Sequence, residues 1–174
     1  EGWQIGVVIP ARDEEQHIQA VLEGLPEYVD MAVVIDDGSN DQTAVVAKTT
    51  KTKCQKIILS GGGNGVGASI DRGHRHLLKS IDAPFVSVVM AGDGQMNPDD
   101  MKGLIAPILH GRADHVKGNR SLHPEGFKGM PLHRKRASKI LSVFTTLAAG
   151  THVSDPQCGY TATSVDVLKA WDWN

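Results

Sequence analysis

Two apolar runs in this chain each end on acidic residues, and this pairing limits the folds that the chain can adopt. The first run ends in Asp36 and Asp37, and the second leads to Asp93. Both runs are rich in consecutive Val, Ile and Met, which is typical of parallel strands buried on both faces. Open α/β folds bind ligands beyond the carboxyl ends of such strands. The sequence therefore predicts that both strands deliver carboxylates to a ligand site.

The chemistry of these carboxylates narrows the ligand class. Acidic side chains suit a metal ion, or the ribose and base of a nucleotide, and they do not suit a bare phosphate. Asp93 and Gln95 together supply hard oxygen ligands of the kind that Mg²⁺ or Mn²⁺ prefers. We therefore expect a sugar nucleotide held through a divalent cation.

Strand and helix patterns alternate along most of the chain. Strands are predicted at 5–10, 32–37, 56–59, 85–90 and, more weakly, 115–118. Asp13, Asp41 and Asn97 are the predicted N-caps of three intervening helices, and a glycine-rich loop opens the fourth. This order predicts an α/β fold with a mostly parallel sheet flanked by helices on both faces.

Length and composition indicate one globular domain, covering residues 1–174. The 174 residues suffice for a sizeable core. A net charge of −2 gives no field that would attract nucleic acid, so we expect no nucleic-acid partner. Two cysteines are too few for a disulfide framework and are typical of a reducing compartment, which predicts a cytoplasmic location.

Membrane-spanning and targeting patterns do not occur in this sequence. No apolar run approaches the ~20 residues of a membrane span, and no signal peptide is visible. The chain starts at Glu1 without Met and stops at Asn174, soon after a helical pattern. We therefore expect a longer parent protein, and draw no conclusion about spans elsewhere in it.

The character of the chain changes after residue 118. Residues 126–154 contain no Asp or Glu, but carry the basic residues Lys128, Arg134, Lys135, Arg136 and Lys139. An apolar helical stretch, 140–150, overlaps the end of this basic segment. One interpretation is a core helix with a solvated basic start. The other is an anion-binding element near a membrane surface, which would make the protein peripheral on the cytoplasmic face.

The glycine-rich loop at 61–69 comes near two phosphate-binding motifs. Gly62 to Ser69 has the spacing of a P-loop, but Ala68 stands where the motif needs Lys. A dinucleotide fingerprint would follow the first strand, whereas this loop follows the third, which disfavours a nicotinamide oxidoreductase. We interpret the loop as backbone that passes close to a ligand.

Seven short strings carry a family resemblance across nearly the whole chain. They are VVIPARDEE (7–15), VVIDDGSNDQT (33–43), GNGVGASIDRGHRHL (63–77), VVMAGDGQMNPDDM (88–101), VKGNR (116–120), HRKRASKI (133–140) and SDPQCGY (154–160). Together they resemble the family 2 glycosyltransferases of the GT-A (Rossmann-like) fold. Within that family the likeness is to the polyprenyl-phosphate, or dolichol-phosphate, mannosyl- and glucosyltransferases. No single string is decisive, but the ordered set is specific.

The resemblance implies an enzyme with two halves. Residues 1–118 would bind a nucleotide-diphospho-sugar, either a UDP- or a GDP-hexose, and residues 119–174 would form the acceptor side. The implied activity is inverting transfer of a hexose, with Mg²⁺ or Mn²⁺ as cofactor and a polyprenyl phosphate as acceptor. Transfer to a small soluble acceptor is the alternative.

Donor-side residues follow from the resemblance. The nucleotide would touch the first loop, at Pro10, Ala11, Arg12 and Glu14. Asp37 would hydrogen-bond the base. Gly92 and Asp93 lie in the DXD region of the family, where Asp93 and Gln95 would be the metal ligands.

Acceptor-side residues also follow from the resemblance. Arg120 and Arg134 match basic residues that hold phosphates of donor and acceptor. Asp155 matches the acidic residue of the acceptor-side loop, as a base or an orienting group. The sequence departs from the family at Ala91, which stands where the first DXD carboxylate belongs. Because that carboxylate is missing, an alternative interpretation is a degenerate domain that binds a nucleotide without catalysis.

Overall fold

The computed structural model describes residues 2–122, 141–148, 150 and 153–172 of the chain. Two compact units are present, one formed by Glu1–Val116 with Tyr160–Asn174 and the other by Lys117–Gly159. One sheet has the strand order β3-β2-β1-β4-β6-β5. Its strands are β1 (Gln4–Ala11), β2 (Met31–Asp36), β3 (Gln55–Ser60), β4 (Phe85–Val89), β5 (His115–Lys117) and β6 (Thr161–Ser164). The helices of the larger unit are α1 (Ile18–Glu23), α2 (Thr43–Thr49), α3 (Val66–Ser80), α4 (Met101–Leu109) and α5 (Val165–Ala170).

Strand β1 is at the centre of the parallel part of the sheet. It pairs in parallel with β2 on one side and with β4 on the other, and β2 pairs in parallel with β3. All residues of β2 and β4, and all of β1 except Gln4, are buried. Because neighbouring side chains in a strand point to opposite faces, this burial means that both faces of the sheet are covered. The predicted mostly parallel α/β fold is confirmed.

Strand β6 was not predicted, and it runs antiparallel to β4. Its residues are Thr, Ala, Thr and Ser, a short polar string without the Val and Ile that mark the other strands. Ser87 of β4 lies opposite Thr163 of β6. His74 Nδ1 is 2.9 Å from Ser87 Oγ, and His115 Nδ1 is 2.9 Å from Thr163 Oγ1. Distant histidines therefore satisfy these buried hydroxyl groups.

Helix α3 packs against β1 without room for side chains at two glycines. A Cβ atom at Gly73 would lie 2.3 Å from Val8 Cγ1, and one at Gly6 would lie 2.8 Å from Leu77 Cδ1. Val8 and Leu77 belong to one buried cluster that also contains residues of β2, β4 and α5. These glycines therefore set the distance between α3 and the sheet.

The edge strand β3 also closes the end of a helix. Lys56 Nζ donates to the backbone oxygens of Ala47, at 2.6 Å, and Lys48, at 3.2 Å, and to that of Thr50. These carbonyls lie at the C-terminus of α2, where they have no partners within the helix. A positive charge there also stabilises the helix dipole.

In the smaller unit, residues 141–148 are helical. Ser142 Oγ donates to the Val153 backbone oxygen at 2.5 Å, and Val153 N–H donates to Thr146 Oγ1 at 3.0 Å. Another side of the helix carries apolar residues that remain exposed, namely Leu141, Val143, Phe144 and Leu147. The described part of this stretch is therefore not buried, and the basic residues that precede it lie outside the described ranges. Within the described ranges, no helix has both the length and the apolar character needed to cross a bilayer.

We expect Gly73→Ala to lower the free energy of unfolding by about 1–3 kcal/mol, because its Cβ overpacks the contact with Val8. Gly103→Ala is the matched control, since a Cβ at this exposed position of helix α4 meets nothing within 4 Å. This control should gain roughly 0.5–1 kcal/mol from helix propensity. Urea unfolding measures both values, and equal effects at the two sites would contradict the packing argument.

Acid should destabilise the fold through His74. Burial lowers the pKa of His74 from 6.5 to about 4, with Asp71 opposing the shift and His115 adding to it. Below pH 6.5, His74 takes up a proton in the unfolded chain but not in the folded chain. The free energy of unfolding therefore falls as the pH drops from 6.5 towards 4.

Each pH unit in that window costs about 1.4 kcal/mol, which predicts a loss of about 2 kcal/mol at about pH 5. Urea unfolding of the protein and of His74→Asn at about pH 7.5 and about pH 5 measures this loss. The variant should lose most of the pH dependence, and His110→Gln, at an exposed site, should keep it. An unchanged dependence in His74→Asn would rule out this group as the cause.

Candidate active site

Loops that follow three parallel strands meet at the carboxyl edge of the sheet. Gly92 N–H donates to the Pro10 backbone oxygen at 3.0 Å, and Asp37 N–H donates to the Ala11 backbone oxygen at 3.0 Å. The last residues of β1 thus hold the start of the loops after β4 and β2. The strand order reverses direction between β1 and β4, and open α/β sheets bind ligands at such a point.

Asp13 joins the loop after β1 to the loop after β2. Its N–H donates to Ser39 Oγ at 3.0 Å, and its Oδ1 accepts from Asn40 N–H at 2.7 Å. Asp13 itself has a φ of 56°, which is uncommon for a residue other than glycine. The prediction that Asp13 caps α1 is wrong, because the cap position is His17 and no side chain bonds there.

The next residues extend these contacts between the two loops. Glu14 N–H donates to Thr43 Oγ1 at 2.7 Å, and Glu15 N–H donates to Asp41 Oδ2 at 3.1 Å. Glu15 Oε2 accepts in return from Gln42 N–H at 2.9 Å. Asp41 lies one residue before the cap position of α2, yet its Oδ1 accepts from Thr43 N–H at 2.9 Å, so it supports that helix start as expected.

Arg12 and Glu14 lie among these fixed residues. Arg12 is exposed, with its Nε 4.0 Å from Asp13 Oδ2. Glu14 Oε2 lies 2.9 Å from His17 Nδ1. The first loop therefore presents a guanidinium group on backbone that hydrogen bonds hold in place.

The two carboxylates at the end of β2 have different partners. Asp36 Oδ1 accepts from Ser39 N–H at 3.1 Å, which closes a tight turn. Asp37 instead binds the glycine loop: Oδ1 accepts from Gly63 N–H at 2.7 Å and from Asn64 N–H at 3.2 Å. Oδ2 accepts from Gly65 N–H at 3.0 Å.

The environment keeps Asp37 ionised. Burial alone would raise the pKa of this carboxyl. The N–H groups of Gly63, Gly65 and Asn64 and the hydroxyl of Ser69 outweigh burial, and they hold the pKa of Asp37 below its usual range. Hydrogen bonds that favour the charged form have this effect on a carboxylate.

A cavity of about 420 Å³ opens beside Asp37, between the ends of β2 and β3 and the start of α3. This volume falls within the range of small-molecule sites. Its lining consists of Ile35, Asp37, Ser60, Gly61, Gly62, Asn64, Ala68, Ser69 and Arg72. The lining therefore combines glycine backbone with the carboxylate of Asp37 and the guanidinium of Arg72.

The loop after β4 carries Asp93. Its side chain is half-buried, and its Oδ1 accepts from Gln95 N–H at 3.0 Å. The Gln95 side chain is exposed, and Ala91 offers no side-chain oxygen. Across the described parts of the chain, no group of three or more His, Cys, Asp or Glu residues is arranged to hold a metal ion.

This donor set fits a cation that is shared with a substrate. Mg²⁺ usually takes one or two protein carboxylates and completes its shell with water and substrate phosphates, rather than with an all-protein cage. Asp93 could supply one carboxylate, and the amide oxygen of Gln95 could supply a second hard ligand.

In the smaller unit, Arg120 and Asp155 form a bidentate ion pair. Arg120 Nε donates to Asp155 Oδ2 and Nη2 donates to Oδ1, each at 2.8 Å, and the Arg120 N–H also donates to Oδ2 at 3.0 Å. The Asp155 side chain is fully buried. Burial would raise the pKa of Asp155, but the bonds from Arg120 hold it below its usual range. Asp155 is therefore a weak proton acceptor in this arrangement.

Three residues that contribute here were not predicted. Arg72 donates to backbone oxygens at the start of the glycine loop, Ser69 supports Asp37, and Thr43 anchors Glu14. Each acts across loops that are distant in sequence, so no local pattern marks it. Arg134, predicted to hold phosphate, lies outside the described residues.

The strand order and this edge of the sheet define an open α/β architecture, and sequence comparison gives the family. The family model described as Glycosyl transferase family 2 matches residues 6–171. The chain belongs to glycosyl transferase family 2.

Relatives with named activities extend the comparison. The chain is 32% identical to the UDP-N-acetylglucosamine–dolichyl-phosphate N-acetylglucosaminyltransferase of Methanococcus voltae, over 95% of this chain and 71% of that protein. It is 27% identical to the undecaprenyl-phosphate mannosyltransferase of Micrococcus luteus, over 95% of this chain and 68% of that one.

Solved structures support the fold. Glucosyl-3-phosphoglycerate synthase from Mycobacterium tuberculosis, in complex with Mn²⁺, UDP and phosphoglyceric acid, superposes with a TM-score of 0.68 at 23% identity. The match covers 94% of this chain and 56% of that one, so the chain spans little more than half of this structural neighbour.

Proposed function

We propose that this chain transfers a hexose, with inversion, from a nucleotide-diphospho-sugar to a polyprenyl phosphate. One observation carries the proposal: the loops after β1, β2 and β4 meet at one edge of the sheet, where backbone bonds to Pro10 and Ala11 hold them. The chain that carries these loops belongs to glycosyl transferase family 2. The names of the Methanococcus and Micrococcus relatives support a polyprenyl-phosphate acceptor. UDP is part of the name of the Methanococcus relative and is bound in the crystal structure of the structural neighbour, so a UDP-sugar is the first donor to test, ahead of a GDP-sugar.

The donor would lie along the first loop, with its nucleoside towards the cavity beside Asp37 and its diphosphate towards Asp93. Pro10, Ala11 and Gly92 contribute backbone here, and Arg12 contributes a positive charge that suits a phosphate. Asp93 and Gln95 would hold Mg²⁺ or Mn²⁺, which as a Lewis acid supplies charge to balance that of a departing diphosphate.

In the transfer itself, an oxygen of the acceptor phosphate attacks the anomeric carbon opposite the diphosphate. The new carbon–oxygen bond forms as the bond to the diphosphate breaks, and the nucleoside diphosphate leaves with the electron pair. Attack from the opposite face inverts the configuration at that carbon. Positioning of the two reactants contributes much of the rate in such a step.

The Arg120–Asp155 pair favours a phosphate acceptor over a hydroxyl acceptor. A phosphate is already an anion at neutral pH and needs no base, whereas a hydroxyl needs one, and Arg120 makes Asp155 a weak base. We therefore assign Asp155 the role of orienting Arg120, whose charge would hold a phosphate. Arg134 is proposed for the same purpose on its sequence position.

Asp93→Ala tests the assignment of donor and metal. In calorimetric titration, Mn²⁺ should strengthen UDP or GDP binding to the unchanged protein, and it should have no such effect on Asp93→Ala. Transfer from the matching nucleotide-hexose should fall by about 100-fold or more, because charge on the leaving group loses its stabilisation. Melting temperature reports whether the fold is intact.

Asp99→Ala is the matched control, because exposed Asp99 follows Pro98 in a 3₁₀ turn and lies outside the proposed site. If Asp93→Ala kept full activity, the assignment of Asp93 as a metal ligand would be wrong. The second candidate function is a degenerate domain that binds a nucleotide without catalysis, and Ala91 is the observation that supports it. Nucleotide binding without transfer to polyprenyl phosphate or to small acceptors would favour this candidate.

The exposed apolar side of helix 141–148 supports a membrane-surface partner. Leu141, Phe144 and Leu147 recur at intervals of three and remain exposed, while Ser142 and Thr146 bond to Val153. The preceding basic segment would be attracted to anionic lipid. Such a helix would place the acceptor side next to the bilayer in which a polyprenyl phosphate is held.

Phe144→Asp and Leu147→Asp should each weaken binding to vesicles of anionic lipid by about tenfold or more, because a charge replaces an apolar side chain that would insert into the lipid. Val45→Asp, at an exposed apolar site on α2, is the control and should bind as the unchanged protein does. Vesicle sedimentation measures the affinity. If all three variants bind alike, helix 141–148 does not contact lipid.

A further inference from the structure

The loop after β4, residues 91–97, carries both residues proposed to hold the cation, Asp93 and Gln95. Its start is fixed, because Gly92 N–H donates to the Pro10 backbone oxygen at 3.0 Å. Gly94, in the middle of the loop, has a φ of 72°, which glycine adopts without strain. A glycine loses more conformational freedom on ordering than any other residue. Contacts beyond the start of the loop are therefore needed to give it one shape.

Met96 closes the loop from within. Ala91 N–H donates to Met96 Sδ at 3.3 Å, so the first residue of the loop bonds to the last but one. A thioether sulfur is a weak acceptor, and the Met96 side chain is half-buried. The bond from Gln95 N–H to Asp93 Oδ1 lies inside the segment that this contact closes.

Tyr160 holds the far end of the loop from outside. Its Oη donates to the Asn97 backbone oxygen at 3.2 Å. Tyr160 directly precedes β6, and Thr161 of β6 lies opposite Val89, the last residue of β4. The antiparallel pairing of β6 with β4 therefore brings Tyr160 to the edge of the sheet where the loop begins.

The hydroxyl of Tyr160 acts only as a donor to this loop. The Tyr160 side chain is buried, so its hydroxyl needs a partner within the protein. Burial raises the pKa of Tyr160, and Tyr28, Asp100 and Asp99 raise it further, so the hydroxyl keeps its proton. Asn97 is also tied to the turn that follows, since its Oδ1 accepts from Asp99 N–H at 3.1 Å. Tyr160 thus joins β6 to a fixed point at the end of the loop.

We propose that Tyr160 and Met96 are positioning residues for the cation site, which hold the loop after β4 in the shape that presents Asp93 and Gln95 together. Neither residue contacts the cation in this arrangement. The inference rests on the proposed function for the role of the loop, but not for the contacts that hold it.

Two substitutions of nearly equal volume remove these contacts. Tyr160→Phe removes the hydroxyl, and Met96→Leu removes the sulfur. Tyr28→Phe is the matched control for the first change, because the Tyr28 hydroxyl is buried without a hydrogen-bond partner in the described part of the chain. Met31→Leu is the matched control for the second, at a buried position of β2.

Amide hydrogen exchange tests the contacts without any ligand. The amides of Ala91, Gly92 and Gln95 carry the bonds that order the loop. Their exchange should become faster in Tyr160→Phe and in Met96→Leu, and it should stay unchanged in the two controls. Melting temperature shows whether each variant remains folded.

Titration with Mn²⁺ in the presence of UDP tests the positioning role. The affinity for Mn²⁺ should fall by about fivefold in Tyr160→Phe, the factor expected for loss of one neutral hydrogen bond, and by less in Met96→Leu. UDP binding without metal should stay unchanged in both variants. In the transfer assay, saturating Mn²⁺ should restore the rate to within about twofold, because bound cation selects the ordered loop.

The opposite results would overturn the proposal. Unchanged exchange in both variants, or an equal effect of Tyr28→Phe, would show that these two contacts do not hold the loop. Faster exchange with unchanged Mn²⁺ affinity would show that the loop shape does not position a cation. If Mn²⁺ does not strengthen nucleotide binding to the unchanged protein, the proposed metal site and the positioning role fall together. The exchange measurement then still decides whether Tyr160 and Met96 hold the loop.

Discussion

The parallel pairing of β1 with both β2 and β4 is the constraint on which the site depends. The chain builds β2 and β3 on one side of β1 and then returns to build β4 on the other. The loops after β1 and β4 must therefore diverge, which opens a crevice at the carboxyl edge. Backbone bonds from Gly92 and Asp37 to the end of β1 hold the start of the loops after β4 and β2 at that edge. Glycines at positions 6 and 73 set how closely α3 can support the sheet from one side.

Within this frame, most acidic side chains of the first two loops bond to backbone rather than project into the crevice. Asp13, Glu15, Asp36 and Asp41 each accept N–H groups from the loop after β2. Clusters of carboxylates in the sequence therefore overstate the charge that a ligand would meet. Asp93 differs from these residues. Its side chain is half-buried, and among the described contacts it accepts a hydrogen bond only from the N–H of the nearby Gln95.

The regular elements could be predicted from the sequence because buried parallel strands carry an unbroken apolar signal. All five predicted strands are present, as are the helices that the cap residues and glycine loop indicated. Strand β6 escaped prediction because its buried Thr163 needs His115, a partner far away in sequence. The cap assigned to Asp13 failed for a similar reason, since Ser39 and Asn40 compete for its polar groups.

For the candidate site, the sequence indicated which loops meet at the carboxyl edge of the sheet, but not which partners each side chain has there. Asp37 was expected to face a ligand, yet it accepts three backbone N–H groups that only the folded chain brings close. Arg72 has no motif of its own, because its partners are carbonyl oxygens that any residue offers. Arg120 and Asp155, separated by 35 positions, form a bidentate pair that no spacing rule would reveal.

Lys56 has a consequence beyond the end of α2. Its strand, β3, lies at the edge of the sheet, where unpaired N–H and C=O groups could recruit a strand from another molecule. A charged side chain directed inward from an edge strand is one of the means by which proteins discourage such edge-to-edge association. The bonds to the α2 carbonyls hold the charge of Lys56 beside this edge strand. The contact that completes a helix thus also places a charge where it would oppose pairing with another strand.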